Sequence, residues 1–221
     1  MRCVIFDLDG TLADTSGDLI ASANYCFNSL GYGDVLDPVS DAGTALRGGR
    51  AMLNLGFARI KPDYDQTDVD AQYPVLLQAY GDAINVHTKL YDGAVEGVEA
   101  LKTAGYAVGV CTNKPSGLAE TLLKKLGVRD LFGSMIGADT LPVRKPDPAP
   151  YIAAVEQAGG DVKMSYLVGD TITDRKTAEA ADVPCALVTF GPDGQAVSAL
   201  KPEALLHSYT DLMQVTKELI G

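Results

Sequence analysis

Arg2-Cys3-Val4-Ile5-Phe6-Asp7-Leu8-Asp9-Gly10-Thr11 is the stretch on which the reading of this chain turns. From Cys3 to Phe6 it is continuously apolar, the pattern of a strand buried on both faces in a parallel sheet. The run stops at two aspartates separated by one residue. In extended geometry alternate side chains share a face, so Asp7 and Asp9 are expected to point one way while Phe6 and Leu8 point the other. Two carboxylates so close resist joint ionisation: one stays charged, the other tends to hold a proton, and a divalent cation favours the ionised member. The pair thus offers a nucleophile or metal ligand beside a general acid. Gly10 permits a tight turn and the Thr11 hydroxyl can tie it down. Taken alone, the segment is also an ordinary polar loop leaving a strand.

Outward from this start, strand-like runs recur at 106–111, 134–137, 165–168 and 184–190. Helical patterns fall between them, at 94–104, 116–126, 148–158 and 173–181. This alternation predicts right-handed βαβ units and an α/β fold, a doubly wound, Rossmann-like parallel sheet. Residues 15–87 break the rhythm and read as helix throughout, at 18–30, 41–46, 50–60 and 68–84, with Pro74 expected to kink or divide the last. Thr15 and Asp18 have the spacing of a capping box with Asp in place of Glu, which starts the first helix near Thr15. The expected organisation is a discontinuous core, residues 1–14 and 88–221, with a helical cap domain at 15–87 inserted after the first strand. Such an insert belongs beside the carboxyl end of strand one, where open α/β sheets place their ligands.

Three later strand ends carry polar groups of a matching kind. Thr112-Asn113-Lys114 supplies a hydroxyl and an amide at a turn into a helix, whose N-terminal N–H groups favour anions. Arg144-Lys145-Pro146-Asp147-Pro148-Ala149-Pro150 surrounds Lys145 with prolines that stiffen the backbone and lower the entropy cost of aiming its ammonium. Gly169-Asp170-Thr171-Ile172-Thr173-Asp174 adds two carboxylates at a strand-to-helix turn. Each is weak alone, since a lone lysine is usually a solvated charge and a Thr-Asn pair a helix cap. Four such elements on the ligand-binding edge of one sheet point to phosphoryl chemistry.

On these residues the chain resembles the haloacid dehalogenase superfamily, specifically its phosphatases with a helical (C1-type) cap and their phosphoglycolate phosphatase-like branch. Phe6-Asp7-Leu8-Asp9-Gly10-Thr11-Leu12-Ala13-Asp14-Thr15, Val110-Cys111-Thr112-Asn113-Lys114-Pro115, Arg144-Lys145-Pro146-Asp147-Pro148 and Val168-Gly169-Asp170-Thr171-Ile172-Thr173-Asp174 match the four family motifs in order, across nearly the whole length. The resemblance implies that Asp7 is the nucleophile and Asp9 the general acid and base. It implies Mg²⁺ held by the Asp7 carboxylate, the Asp9 main-chain carbonyl and Asp170, with Asp174 orienting a metal-bound water or Lys145. Thr112, Asn113 and Lys145 would grip the phosphoryl oxygens, the charge-neutralising work that dominates phosphoryl transfer. It further implies a substrate-specificity segment at Arg47-Gly48-Gly49-Arg50, where an arginine would pair bidentately with a small carboxylate; two solvated arginines at a helix break are the plain alternative.

The expected reaction is therefore Mg²⁺-dependent hydrolysis of a small phosphomonoester, phosphoglycolate-like, through an aspartyl-phosphate. An acid at position 9 suits an ester, because a departing halide needs no proton. The runner-up is a sugar-phosphate mutase resembling beta-phosphoglucomutase, which shares the four motifs but usually differs where Thr11 stands. A phosphoacceptor module without turnover is a third reading; it is opposed by the helical insert and by an acceptor on the first strand. Departures from the family pattern are Ser16-Gly17, Asp92 and the helix end Ala180-Ala181-Asp182, where Asp tolerates the left-handed conformation.

Composition narrows the partners. The 221 residues allow one large domain, or a domain with a modest insert. A net charge of −11 and the lack of a Lys/Arg cluster exclude recognition through nucleic-acid phosphates. With that excess of acid, Mg²⁺ and Lys145 must supply the local positive field for an anionic substrate. No apolar run approaches the roughly 20 residues of a membrane span, and residues 1–7 show no signal-peptide core. The expectation is a cytoplasmic monomer or homodimer acting on a small phosphorylated metabolite, with no nucleic-acid or membrane partner. Cys3, Cys111 and Cys185 sit in strand-like runs and read as buried apolar residues, while His87 and His207 carry no assigned role.

Overall fold

Cys3–Phe6 forms β1 with all four side chains buried, and parallel neighbours flank it on both sides. The computed structural model describes residues 1–221. After β1 come β2 (Ala13–Asp14) and four helices, α1 (Ser16–Ser29), α2 (Ala42–Ala45), α3 (Gly49–Ile60) and α4 (Gln66–Asp82). The chain continues through β3 (Lys89–Leu90), α5 (Ala94–Thr103), β4 (Ala107–Cys111), α6 (Ser116–Lys125), β5 (Ser134–Ile136), α7 (Ala149–Gln157) and β6 (Ser165–Gly169). It closes with α8 (Ile172–Ala180), β7 (Cys185–Val188), β8 (Ala204–Leu206) and α9 (Leu212–Ile220). Met1–Ala13 with Leu90–Gly221 make one compact unit and Asp14–Lys89 a second.

In the sheet unit the strand order is β5-β4-β1-β6-β7-β8, every pair parallel. This is the expected doubly wound sheet, with a sixth strand and a final helix beyond the five strands read from sequence. The chain builds outward from β1 through β4 and β5, then returns to its other side with β6, so the crevice of an open sheet falls at the carboxyl end of β1. Register sets what stands there: Phe6 pairs with Val110 and with Val168, so the residues that follow each emerge at one edge. Cys3 and Ile5 point into a core with Cys111, Tyr151, Val155, Leu167, Cys185 and Leu187, on the face covered by α7 and α8. Tyr166 shares the opposite face with Val4 and bonds through its hydroxyl to Thr216 of α9 at 2.7 Å. The cysteines of this core behave as apolar residues: burial pushes the Cys3 and Cys111 thiols up to about 12.

The helical unit buries Phe27 and Phe57 edge to face, centroids 5.4 Å apart. Two local expectations need correction there. Pro74 does not divide α4, which runs unbroken over Gln66–Asp82 with Val69, Leu76 and Tyr80 buried along it; packing of that face outweighs the missing donor. Thr15 and Asp18 do not form a capping box. α1 starts at Ser16 as expected near Thr15, but Thr15 makes no side-chain cap bond, and Asp14 Oδ1 accepts from the Ser16 N–H and O–H at 3.0 and 2.6 Å. Asp18 turns instead to the returning chain, accepting the N–H groups of Val86, His87 and Thr88 at 2.7–3.1 Å. Asp182 ends α8 with φ +55°, the left-handed conformation expected of it. No helix is long and apolar enough to cross a membrane.

Candidate active site

Asp7 is the first residue beyond β1, and its N–H still bonds the Val168 carbonyl at 2.9 Å, so the ladder aims the side chain. Its Oδ1 accepts the Leu8 N–H at 2.7 Å and its Oδ2 lies 3.1 Å from Lys145 Nζ. Lys145, 1% exposed, bridges onward to Asp174 Oδ1 at 2.6 Å. Asp174 is wholly buried in the first turn of α8, and its other oxygen accepts from the N–H and O–H of Thr171 at 3.1 and 2.8 Å. That approach depends on Gly169: a Cβ there would lie 2.3 Å from the Asp174 carboxyl carbon. The carboxylate of Asp170 accepts the Thr11 hydroxyl at 3.2 Å.

Oxygens of Asp7, Asp170 and Asp174 all lie within 4.8 Å of one another. Three carboxylates share one ammonium, and the electrostatics register the deficit of positive charge. Burial first, and then the neighbouring Asp174 and Asp9 charges, push Asp7 up to about 6 against the lowering pull of Lys145. Burial, with Asp174 and Asp7, holds Asp170 well above the usual carboxylate range. Burial alone would lower the Lys145 ammonium, but Asp174 and Asp7 together outweigh it and hold it above its ordinary value. A divalent cation fits this group: all ligand atoms are hard oxygens, the surplus charge is negative, and the pull of Lys145 on Asp170 is outweighed by burial and by the Asp174 and Asp7 charges. Asp174, with its oxygens engaged by Lys145 and Thr171, is the least available of the three.

The other predicted residues divide. Asp9 is on the same edge, but its carboxylate faces Lys114 Nζ at 2.9 and 3.2 Å. Thr112 is buried at the end of β4, with Oγ1 accepting the Lys114 N–H at 3.2 Å. Asn113 donates Nδ2 to the Lys145 main-chain carbonyl at 3.0 Å, tying two of the strand-end loops together. Arg47, Gly48, Gly49 and Arg50 lie in the helical unit, at the join of α2 and α3. There Arg50 pairs with Asp70 at 2.5 Å and stacks over Tyr73, its Cζ 4.6 Å from the ring centroid.

Two residues that hold this edge carried no role in the sequence reading. Lys114 adjoins Thr112 and Asn113, so its place in the motif is a signal that was available. Tyr209 donates its hydroxyl to the Thr11 carbonyl at 2.7 Å from 198 positions away, and nothing local marks it.

Comparison with known proteins identifies the family. The profile of the haloacid dehalogenase-like hydrolases matches residues 4–188. A phosphoglycolate phosphatase of Agrobacterium fabrum is 37% identical over 211 residues, 94% of this chain and 89% of the relative. One from Caulobacter vibrioides is 36% identical, over 95% and 88% of the two chains. Among solved structures, a predicted phosphoglycolate phosphatase from Haemophilus somnus 129pt superposes with a TM-score of 0.84 at 24% identity, covering 98% of both chains, and shares the fold. The chain belongs to the haloacid dehalogenase-like hydrolase family.

Proposed function

We propose that the protein hydrolyses a small phosphomonoester of the phosphoglycolate class, with Asp7 as nucleophile and Asp9 as general acid and base. The observation that carries the proposal is the arrangement at the end of β1: Asp7 with Lys145, and Asp9 with a separate cation. An Asp7 carboxylate oxygen attacks phosphorus and the ester P–O bond breaks, leaving an aspartyl-phosphate. The departing alkoxide takes its proton from Asp9. Asp9, now a carboxylate, removes a proton from water; the hydroxide attacks phosphorus, the P–O bond to Asp7 breaks, and inorganic phosphate leaves. Lys145 neutralises phosphoryl oxygens at the Asp7 edge, and Asp174 keeps its ammonium there. Thr112 and Asn113 support the loops at the same edge, Asn113 through the Lys145 backbone. Bound Mg²⁺, held by Asp7 and Asp170 with the Asp9 main-chain oxygen, would neutralise charge on the transferring phosphoryl group. The names of the relatives favour phosphoglycolate among the possible esters.

Phosphate release from a panel of phosphomonoesters, with Mg²⁺ and with EDTA, tests this reading. Phosphoglycolate should rank first in kcat/KM, and EDTA should inactivate reversibly. Asp9→Asn should lose about 10²-fold on alkyl phosphates. Near-normal turnover by Asp7→Asn would overturn the nucleophile assignment. Isomerisation of a sugar phosphate that requires a bisphosphate would favour a mutase instead.

A further inference from the structure

The two aspartates that open the site are divided between two ammonium groups. Asp7 faces Lys145, whereas both carboxylate oxygens of Asp9 face Lys114 Nζ, at 2.9 and 3.2 Å. We infer that Lys114 is a positioning residue for Asp9: it holds that carboxylate in one orientation and apart from the group formed by Asp7, Asp170 and Asp174. This rests on the acid–base role proposed above for Asp9.

The pair is not a solvated surface contact. The Lys114 side chain is 3% exposed and that of Asp9 is 17% exposed, so the ammonium is held where water competes little for it. The support behind Lys114 is rigid. Its N–H donates to Thr112 Oγ1 at 3.2 Å and its carbonyl accepts the Ala138 N–H at 2.9 Å, which fixes the backbone at the ends of β4 and β5. The other partner of the pair is Asp9. It lies past the end of β1, in a turn where the N–H groups of Thr11, Leu12 and Ala13 converge on the Leu8 carbonyl. A carboxylate on such a turn has two rotatable bonds, and contact with both oxygens removes that freedom. The need is chemical: the proton must reach the leaving oxygen on the far side of phosphorus from Asp7, and misplacement of a reacting group by about 1 Å costs on the order of 10²-fold. Lys114 therefore acts through Asp9, and its loss should matter most when the leaving group needs a proton.

Leaving-group dependence tests the inference. kcat/KM for Lys114→Met and Lys114→Arg is measured with p-nitrophenyl phosphate, whose leaving group departs as the anion, and with phosphoglycolate, whose alkoxide must be protonated. The Met variant should lose at least tenfold more on phosphoglycolate than on p-nitrophenyl phosphate, and the Arg variant should recover most of that difference. Equal losses on both esters, or no loss on either, would overturn the inference; equal losses would assign Lys114 to the phosphoryl group or to folding. Melting temperatures identify a Met variant that does not fold, and Lys114→Gln then carries the same ratio. If Asp9→Asn itself loses equally on both esters, the acid–base reading fails rather than the role of Lys114.

Discussion

Two segments of this chain share the pattern Thr-x-x-Asp at the start of a helix, Thr15–Asp18 and Thr171–Asp174, and the fold uses them in opposite ways. At α8 the box closes: Asp174 accepts both donors of Thr171 and gives its other oxygen to Lys145. At α1 the box stays open, and Asp18 turns away to accept three successive N–H groups of residues 86–88. A cap bond and a long-range bond are worth similar amounts, about 1 kcal/mol each. The choice therefore goes to whichever donors tertiary structure brings near. Beside Asp18 are three buried or half-buried N–H groups with a carboxylate in reach; beside Asp174 is an ammonium with no water to solvate it.

The largest effect that would sharpen this contrast is expected from Asp174→Ala. It strips a buried ammonium of its shorter partner, and the general cost of breaking such a pair is about 3–5 kcal/mol. Urea unfolding should register that loss, and phosphate release should collapse with it. A loss below 1 kcal/mol would mean that Asp174 is merely a helix cap.

Next is a pH series on the metal-free protein. Between the ordinary value of 3.8 and about 6, folded Asp7 keeps a proton that the unfolded chain has released. Stability from this group therefore declines as pH rises through that window, and the full penalty applies above it. Asp7→Asn removes the penalty, so its melting temperature relative to the parent should be higher at pH 7 than at pH 4. Magnesium should raise the melting temperature of the parent at pH 7 and do little for the variant. A difference that does not change with pH would show that Asp7 is not held up by burial.

Asp18→Ala should cost about 1–3 kcal/mol, because it leaves N–H groups of residues 86–88 without their acceptor. Amide exchange at those residues should accelerate with it. If the cost instead matches a lost helix cap and exchange is unchanged, the contrast with Asp174 disappears.

The smallest effect belongs to Arg50→Ala. Its ion pair with Asp70 is half exposed, and such pairs are worth about 0.2–1 kcal/mol. Arg47→Ala separates the remaining reading of this segment: a rise in KM for phosphoglycolate but not for p-nitrophenyl phosphate supports carboxylate recognition, and equal rises remove it.

Much of the fold was legible because its strands are buried on both faces and so read as unbroken apolar runs. Cys3–Phe6, Ala107–Cys111 and Ser165–Gly169 are buried at every position. Ala204–Leu206 was not legible: it is three residues long, only half-buried at two of them, and held at the sheet edge by β7. α9 did carry a signal, since Leu212, Val215 and Thr216 are buried at helical spacing. Pro74 misled because the energy that keeps α4 whole comes from residues packed against it, which the local sequence does not contain.

The sequence by itself determined the alternation of strands and helices, the helical insertion, and the polar residue types at each strand end. These follow from periodicity and backbone chemistry, which act over a few residues. Only the tertiary structure decided which charge meets which: Asp7 with Lys145, Asp9 with Lys114 across 105 positions, and Asp174 rather than Asp18 as a closed cap. Charges at these strand ends have several partners of the right sign within the chain. Coulomb energy selects among them through distance and burial, and both exist only after parallel register has brought the ends of β1, β4, β5 and β6 to one edge.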